Sequence, residues 1–295
     1  MNLIRPHHAA LALSLVLTQA PVAIAQAPAV PPTAVGVTAD PCAQLEPAPA
    51  VVVAYMAQSA RARAARQPPP TPSAADLAIY NAWQSRLAAK DFSGRCVYER
   101  ANKALAPATD HRVVLFGDSI TQLWGAVDPD LFRDDTINRG VSSQTTEQML
   151  GRFRADVVAL DPKVVLILAG VNDIAGNTGP TSLARIEDNI QAMVELARAH
   201  HIRVILGSVP PTSGFSWRPA IHPVETIKAL NGWLRTYAQA QGLTYVDYYA
   251  ALVDAEGGFT RSLTADGVHP NADGYRVMRP LAENAIRQAL AVGAP

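Results

Sequence analysis

Four short polar runs hold the residue types that acyl transfer needs: Gly117-Asp118-Ser119-Ile120, Asn138-Arg139-Gly140, Gly170-Val171-Asn172-Asp173 and Asp266-Gly267-Val268-His269-Pro270. A serine hydroxyl is barely ionised at neutral pH, so its attack on an ester needs a neighbouring base. His269 is of the right type, because imidazole takes and returns a proton near neutral pH. Pro270 biases His269 toward extended backbone, which presents the ring from a loop. Asp266 stands three residues earlier, close enough across a turn to accept from the other ring nitrogen and fix its tautomer. The expected catalytic set is therefore Ser119, Asp266 and His269.

The tetrahedral intermediate of such a reaction carries an oxyanion, and preorganised donors facing it are often the largest catalytic contribution. Ser119 at a helix N-terminus keeps its own N–H free, and the helix dipole favours negative charge there. Gly140 has no side chain to keep its N–H away, and Asn172 offers a side-chain amide. Ser119, Gly140 and Asn172 are thus the expected oxyanion donors. Each run also has an ordinary reading. Ser119 would serve as an N-cap, Gly140 as a left-handed turn, Asn172 and Asp173 as loop residues, and Asp266 to Pro270 as a turn before a last helix. Their joint occurrence, not any one of them, points to acyl transfer.

Such groups need a scaffold that brings distant loops together. From residue 111 onward apolar strand-like runs alternate with helical periods. Val113–Phe116, Val164–Leu168 and Val204–Leu206 read as strands buried on both faces, with Thr136–Asn138 and Thr244–Val246 as weaker candidates. Between them run the stripes Met149, Leu150, Phe153, Val157, then Leu183, Ile186, Ile190, Val194, Ala197, and then Ile227, Leu230, Leu234, Tyr237. This alternation implies an α/β fold with a doubly wound parallel sheet, whose sites lie at the C-terminal strand ends. Three of the polar runs occupy such ends.

The 295 residues allow one large core. Lys+Arg and Asp+Glu are equal at 25 each, so there is no basic surplus for nucleic acid or anionic membrane, and a small-molecule partner is expected. Residues 1–25 read as a signal peptide: Arg5, His7 and His8, an apolar run from Ala9 to Leu17, then Ala23-Ile24-Ala25 before the cleavage point. The run is short for a bilayer span, so no stable membrane insertion is expected after cleavage. Residues 26–41 are a Pro/Ala/Val-rich lead-in. Residues 42–105 form a helical extension broken by the Pro68–Pro72 run. The expected inner faces are Val51, Tyr55, Met56 in one helix and Leu77, Tyr80, Ala82, Trp83, Leu87 in the next, with Ser73 as cap of the second. Cys42 and Cys96 are consistent with one disulfide in an oxidising compartment, or with two buried thiols. No His/Cys cluster accompanies them, and Asp266 with His269 lacks a third ligand, so no metal is expected.

Taken together, the four runs resemble the GDSL family of SGNH hydrolases, in order over residues 112–290, with Ile120 in place of the family's Leu. The family's Ser, Gly, Asn and His fall on Ser119, Gly140, Asn172 and His269, and its Asp on Asp266. The resemblance implies a flavodoxin-like three-layer α/β/α fold with a central parallel sheet over 106–295, and chemistry that uses no metal or other cofactor. Thr121 removes the second glycine of the Gly-x-Ser-x-Gly elbow, so the α/β-hydrolase signature fails. The resemblance is to exported bacterial members, which implies a periplasmic or extracellular carboxylic ester hydrolase. No long apolar lid is evident, which favours short acyl or acetyl esters, including those of carbohydrates. Lysophospholipase or thioesterase activity on longer chains is the alternative, and a non-catalytic carbohydrate- or lipid-binding module is the alternative of another class. Trp124, Phe215 and Trp217 follow strands one and four and are candidates to line an acyl or sugar pocket, with core packing as the competing reading. His200, His201 and His222 read as surface residues.

Overall fold

The computed structural model describes residues 36–291. The expected signal peptide over 1–25 and most of the expected lead-in lie outside the described residues. The chain divides into two compact units, one ending at Ala43 and one beginning at Gln44. In the first, the Asp40 carboxylate accepts the backbone N–H groups of Cys42 and Ala43, at 3.0 Å each. Cys42 and Cys96 are both disulfide-bonded, which sets aside the reading as two free thiols.

The second unit opens with three helices, α1 (Ala50–Ala64), α2 (Ala74–Lys90) and α3 (Glu99–Lys103). Ser73 caps α2 as expected, accepting the Asp76 N–H at 3.1 Å. The inner faces differ from those read in the sequence. The buried stripe of α1 is Val52, Ser59 and Arg63, not Val51, Tyr55 and Met56, and α2 buries no residue at all. The positions i, i+7 and i+11 lie on one side of a helix, but two of the three are polar, so a search for apolar periodicity picks the neighbouring side.

The α/β part runs β1 (Val113–Gly117), α4 (Ser119–Val127), β2 (Thr136–Gly140), α5 (Thr146–Asp156), β3 (Val164–Leu168), α6 (Val171–Ile174), α7 (Leu183–Ala199), β4 (Arg203–Gly207), α8 (Val224–Ala240), β5 (Thr244–Val246), α9 (Tyr248–Leu252) and α10 (Ala272–Ala291). All five expected strands form. They make one parallel sheet in the order β2-β1-β3-β4-β5. This is the flavodoxin-like order, in which connections from β1 and β3 diverge and leave a crevice at their C-terminal ends. Every residue of β1 and β3 is buried, which explains their unbroken apolar runs. The stripes of α5, α7 and α8 face the core as expected, through Met149 and Phe153, through Ile186, Ile190 and Val194, and through Ile227, Leu230 and Leu234.

The C-terminal strand ends are cross-linked by one buried cation. Arg152 of α5 is fully buried, and its guanidinium lies 4.2 Å from the Phe116 ring centroid. It donates to Gly117 O (2.9 Å), Arg139 O (2.9 Å), Gln144 Oε1 (2.6 Å) and Asp156 Oδ2 (3.0 Å). Removing one partner of a buried ion pair leaves an uncompensated charge and typically costs about 3–5 kcal/mol. Arg152→Leu is expected to lower unfolding stability by about that amount. The double change Arg152→Leu/Asp156→Leu should recover part of it, because the stranded carboxylate is gone. Urea-melt midpoints of both variants test this, and a double variant less stable than the single one would contradict it.

Candidate active site

The residues around Ser119 divide their duties. Gly117 closes β1, level with Gly140 of β2 and Leu168 of β3. A Cβ on Gly117 would lie 2.2 Å from Thr121 Oγ1 and 2.6 Å from Leu168 O, so the immediate turn from strand into α4 requires glycine. Asp118 is the N-cap of α4, its Oδ1 accepting the Ile120 N–H at 2.9 Å. Ser119 is then the first helical residue, and its hydroxyl is not the cap. That hydroxyl stands 2.9 Å from His269 Nε2.

His269 sits in the loop between α9 and α10. Its Nδ1 lies 2.9 Å from Asp266 Oδ2, while Asp266 Oδ1 accepts the backbone N–H groups of Val268 (3.0 Å) and His269 (2.8 Å). Thr264 Oγ1 donates to the His269 carbonyl at 2.7 Å. Ser119, His269 and Asp266 thus form one hydrogen-bonded chain. A further donor reaches Asp266 from outside the loop: Arg63 Nη2 of α1 lies 2.6 Å from Oδ2. Burial alone would raise the Asp266 pKa, but the bond and charge of His269, with the charge of Arg63, outweigh it and hold the carboxyl well below its ordinary range. The sequence reading missed Arg63; its signal was the half-polar stripe of α1.

Asn172 lies buried in the first turn after β3. Its Nδ2 donates to Gln144 O (3.0 Å) and lies 3.3 Å from Asp118 Oδ2, and its Oδ1 accepts from Asn177 Nδ2 (2.8 Å). It therefore stands beside the residue that precedes Ser119. Gly140 is placed differently from expectation. Its N–H is donated to Asn138 Oδ1 at 2.9 Å, so it is not a free donor. Its lack of a side chain serves packing instead, since a Cβ there would lie 2.2 Å from the Gln122 N atom. Three residues on, Ser143 takes a left-handed conformation (φ 67°), and its N–H has no hydrogen-bond partner among the described residues. The Ser143 carbonyl accepts from Asn177 Nδ2 (3.2 Å), the same amide that touches Asn172. A non-glycine left-handed residue carries no signal in the sequence itself.

The three aromatic candidates separate. Trp124 is fully buried against Tyr248 and Tyr275, with ring centroids at 6.0 and 5.3 Å, so it is core and lines no pocket. Phe215 is also buried, backing Trp217 at 5.2 Å. Trp217 alone is open, at 44% exposure, and its Nε1 donates to Asn177 Oδ1 at 3.2 Å, which puts it on the rim next to Asn172.

Two more carboxyls lie beneath the site. Asp173 accepts the N–H (2.9 Å) and hydroxyl (2.6 Å) of Thr146 at the start of α5, and burial pushes its pKa up to about 6. Burial pushes Asp118 up to about 7 from its ordinary 3.8. A folded-state pKa raised in this way contributes stability below the unfolded value that is lost as pH rises through the folded value. Between about pH 4 and pH 8 the wild type should therefore lose stability relative to Asp118→Asn, which keeps the capping oxygen without the charge. Urea melts of both proteins across this range test it, and a difference independent of pH would contradict it.

The chain is similar to known acylhydrolases and esterases. The GDSL-like Lipase/Acylhydrolase family matches residues 115–277. A candidate acylhydrolase from Bacteroides fragilis is similar in structure (TM-score 0.67, 41% identity), the match covering 68% of this chain and 99% of that one. A GDSL-like lipase from Bacteroides thetaiotaomicron is similar as well (TM-score 0.65, 40% identity, 67% and 99% covered). Over 196 residues the chain is 30% identical to an isoamyl acetate-hydrolyzing esterase 1 homolog of Bos taurus, covering 57% of this chain and 78% of that protein. A family match over more than half of the sequence, on a sheet of the flavodoxin-like order, makes this chain a member of the GDSL-like lipase/acylhydrolase family and a serine esterase/acylhydrolase.

Proposed function

We propose that the protein hydrolyses short-chain acyl or acetyl esters, including those of carbohydrates, through an acyl-Ser119 intermediate. The observation that carries this reading is the continuous chain Ser119 Oγ, His269 Nε2, His269 Nδ1, Asp266 Oδ2, with both steps at 2.9 Å. His269 Nε2 takes the Ser119 proton as Oγ attacks the ester carbon, while Asp266 holds the Nδ1–H tautomer and stabilises the imidazolium. The ring then returns the proton to the leaving alkoxide, and the alcohol departs. Water repeats the sequence on the acyl-serine and releases the acid. The oxyanion is best met by the Ser119 N–H, which has no intrahelical partner at the first position of α4, together with the free Ser143 N–H. The Asn172 amide, which donates to Gln144 O and Asp118 Oδ2, joins them by exchanging one of those acceptors for the oxyanion.

Two features favour small acyl groups. The helix that opens at Ser119 turns Ile120 and Trp124 into the core, so neither offers an apolar wall for a long acyl chain. The bovine relative is named for an acetate ester. Trp217 presents an open aromatic face at the rim, of the kind that stacks on a sugar ring, with its indole N–H held by Asn177. We read residues 106–295 as the hydrolase domain and 42–105 as an appended helical segment. The leader features of 1–25 and the disulfide-bonded cysteines support export to the periplasm or beyond. None of the described helices is long and apolar enough to cross a membrane.

Hydrolysis of nitrophenyl acetate, octanoate and longer esters, and of acetylated xylose oligomers, tests the reading. The acetate and the acetylated sugars are expected to turn over fastest, and Ser119→Ala is expected to be inactive and unlabelled by a fluorophosphonate. Preference for long chains would overturn the acyl assignment, and labelling at another residue would overturn the nucleophile. Asn172→Ala should lower kcat by roughly a hundredfold or more, the usual effect of losing one oxyanion donor. An unchanged kcat would remove Asn172 from the oxyanion site.

A further inference from the structure

The helical extension reaches into the hydrolase site through a single side chain. Arg63 lies on the last turn of α1, its side chain only 7% exposed, with Nη2 2.6 Å from Asp266 Oδ2. The same oxygen accepts from His269 Nδ1, and the other carboxylate oxygen is taken by two backbone N–H groups of the loop itself. Apart from Arg63, every donor to Asp266 belongs to the loop that Asp266 is meant to hold. The next basic residue of the extension, Arg66, pairs with Asp273 in the first turn of α10, just after that loop. Val52 and Ser59 complete the buried stripe that seats α1.

We propose that Arg63 is a positioning residue for ester hydrolysis: the extension supplies the guanidinium that fixes the Asp266 carboxylate, and through it the His269 ring, against Ser119. The proposal rests on the Ser119–His269–Asp266 reading above. A carboxylate gripped only by its own loop moves with that loop, whereas one tied to α1 keeps its Oδ2 aimed at Nδ1. A buried arginine on an otherwise half-exposed helix also needs a carboxylate partner to offset its desolvation, and Asp266 is the carboxylate that its guanidinium touches. The extension then belongs to the working enzyme rather than being packing alone.

A merely adhesive role predicts lost stability with normal turnover. Positioning predicts lost turnover in a folded protein. Full-length Arg63→Gln and Arg63→Ala are compared with Val52→Ala, which loosens the seat of α1 without touching Asp266, on nitrophenyl acetate well below each melting temperature. The two Arg63 variants are expected to lose kcat by about ten- to a hundredfold, the scale of a small misplacement of a catalytic group. Their KM should stay within about twofold, since no substrate contact is removed. Guanidinium chloride below denaturing concentrations should restore part of kcat to Arg63→Ala and none to Val52→Ala. Should Arg63→Ala fail to fold, Arg63→Gln, which keeps a polar side chain with the first three carbons of arginine, carries the kcat comparison. Folded Arg63 variants with wild-type kcat overturn the proposal, as does Val52→Ala losing as much kcat as they do. Ser119→Ala separates the two layers: if it keeps activity, the underlying site reading falls. If it is inactive while Arg63→Gln turns over normally, only the role of Arg63 falls.

Discussion

A parallel sheet ends in carbonyl groups that point into its own binding crevice, and in this protein one buried guanidinium satisfies the two that matter most. Arg152 donates to the last carbonyl of β1 and to the penultimate residue of β2. Those carbonyls immediately precede the nucleophile loop and the loop that faces it. The same side chain holds Gln144, whose own carbonyl receives the Asn172 amide. Three of the four polar loops are thus spaced by one cation lying on Phe116 and neutralised by Asp156 within its own helix. The cost of burying that charge is met by four hydrogen bonds, one of them to a carboxylate, and by the Phe116 ring face, the condition under which a buried ion is tolerated.

The fourth loop, carrying Asp266 and His269, lies beyond the reach of Arg152 and is held from the opposite side by the extension. The extension also touches the loop after β2. Tyr98 Oη donates to Gly140 O at 2.5 Å, and Gln144 Nε2 donates to Ser93 O at 2.8 Å. Both walls of the crevice are therefore tied to residues 42–105. The carboxyls around the crevice are sorted by the same contacts. Asp118 and Asp173 meet mostly neutral donors in buried surroundings and are pushed toward the protonated form. Asp266 meets an imidazole and a guanidinium and stays charged. Divergent environments of this kind separate the carboxylate that serves the base from those that cap helices.

The strands were legible because the sheet buries both faces: Val113–Phe116 and Val164–Leu168 have no polar residue to blur them. Even the short β5, three residues long, carried its β-formers Thr244, Tyr245 and Val246. The hydrogen-bonded set Ser119, Asp266 and His269 was legible because each proposed chemical role demands a residue type. What the sequence hid were features defined by neighbours. Gly140 reads as a flexible donor, but its amide is taken by Asn138 two residues back, and its missing side chain makes room for Gln122. Trp124 reads as pocket lining, but it is five residues into α4 and faces Tyr275 in the core. Arg63 is invisible to apolar periodicity because its partner lies 203 residues away.

The run Gly117-Asp118-Ser119 shows why three specific residues are needed where one nucleophile is wanted. A serine opening a helix is normally consumed as its cap, its hydroxyl folded back on the N2 or N3 amide. Here Asp118 takes that duty one residue earlier, and it can do so only because Gly117 lets the chain turn within van der Waals reach of Thr121 and Leu168. Shifting the cap by one position moves Ser119 from the boundary of α4 into its first turn. That leaves the hydroxyl unspent, and it is met by His269 rather than by backbone. The amide of the same residue remains an unpaired first-turn N–H at the positive end of the helix. On the proposed mechanism nucleophile and oxyanion donor come from one residue, because its two neighbours have taken over the structural work it would otherwise do.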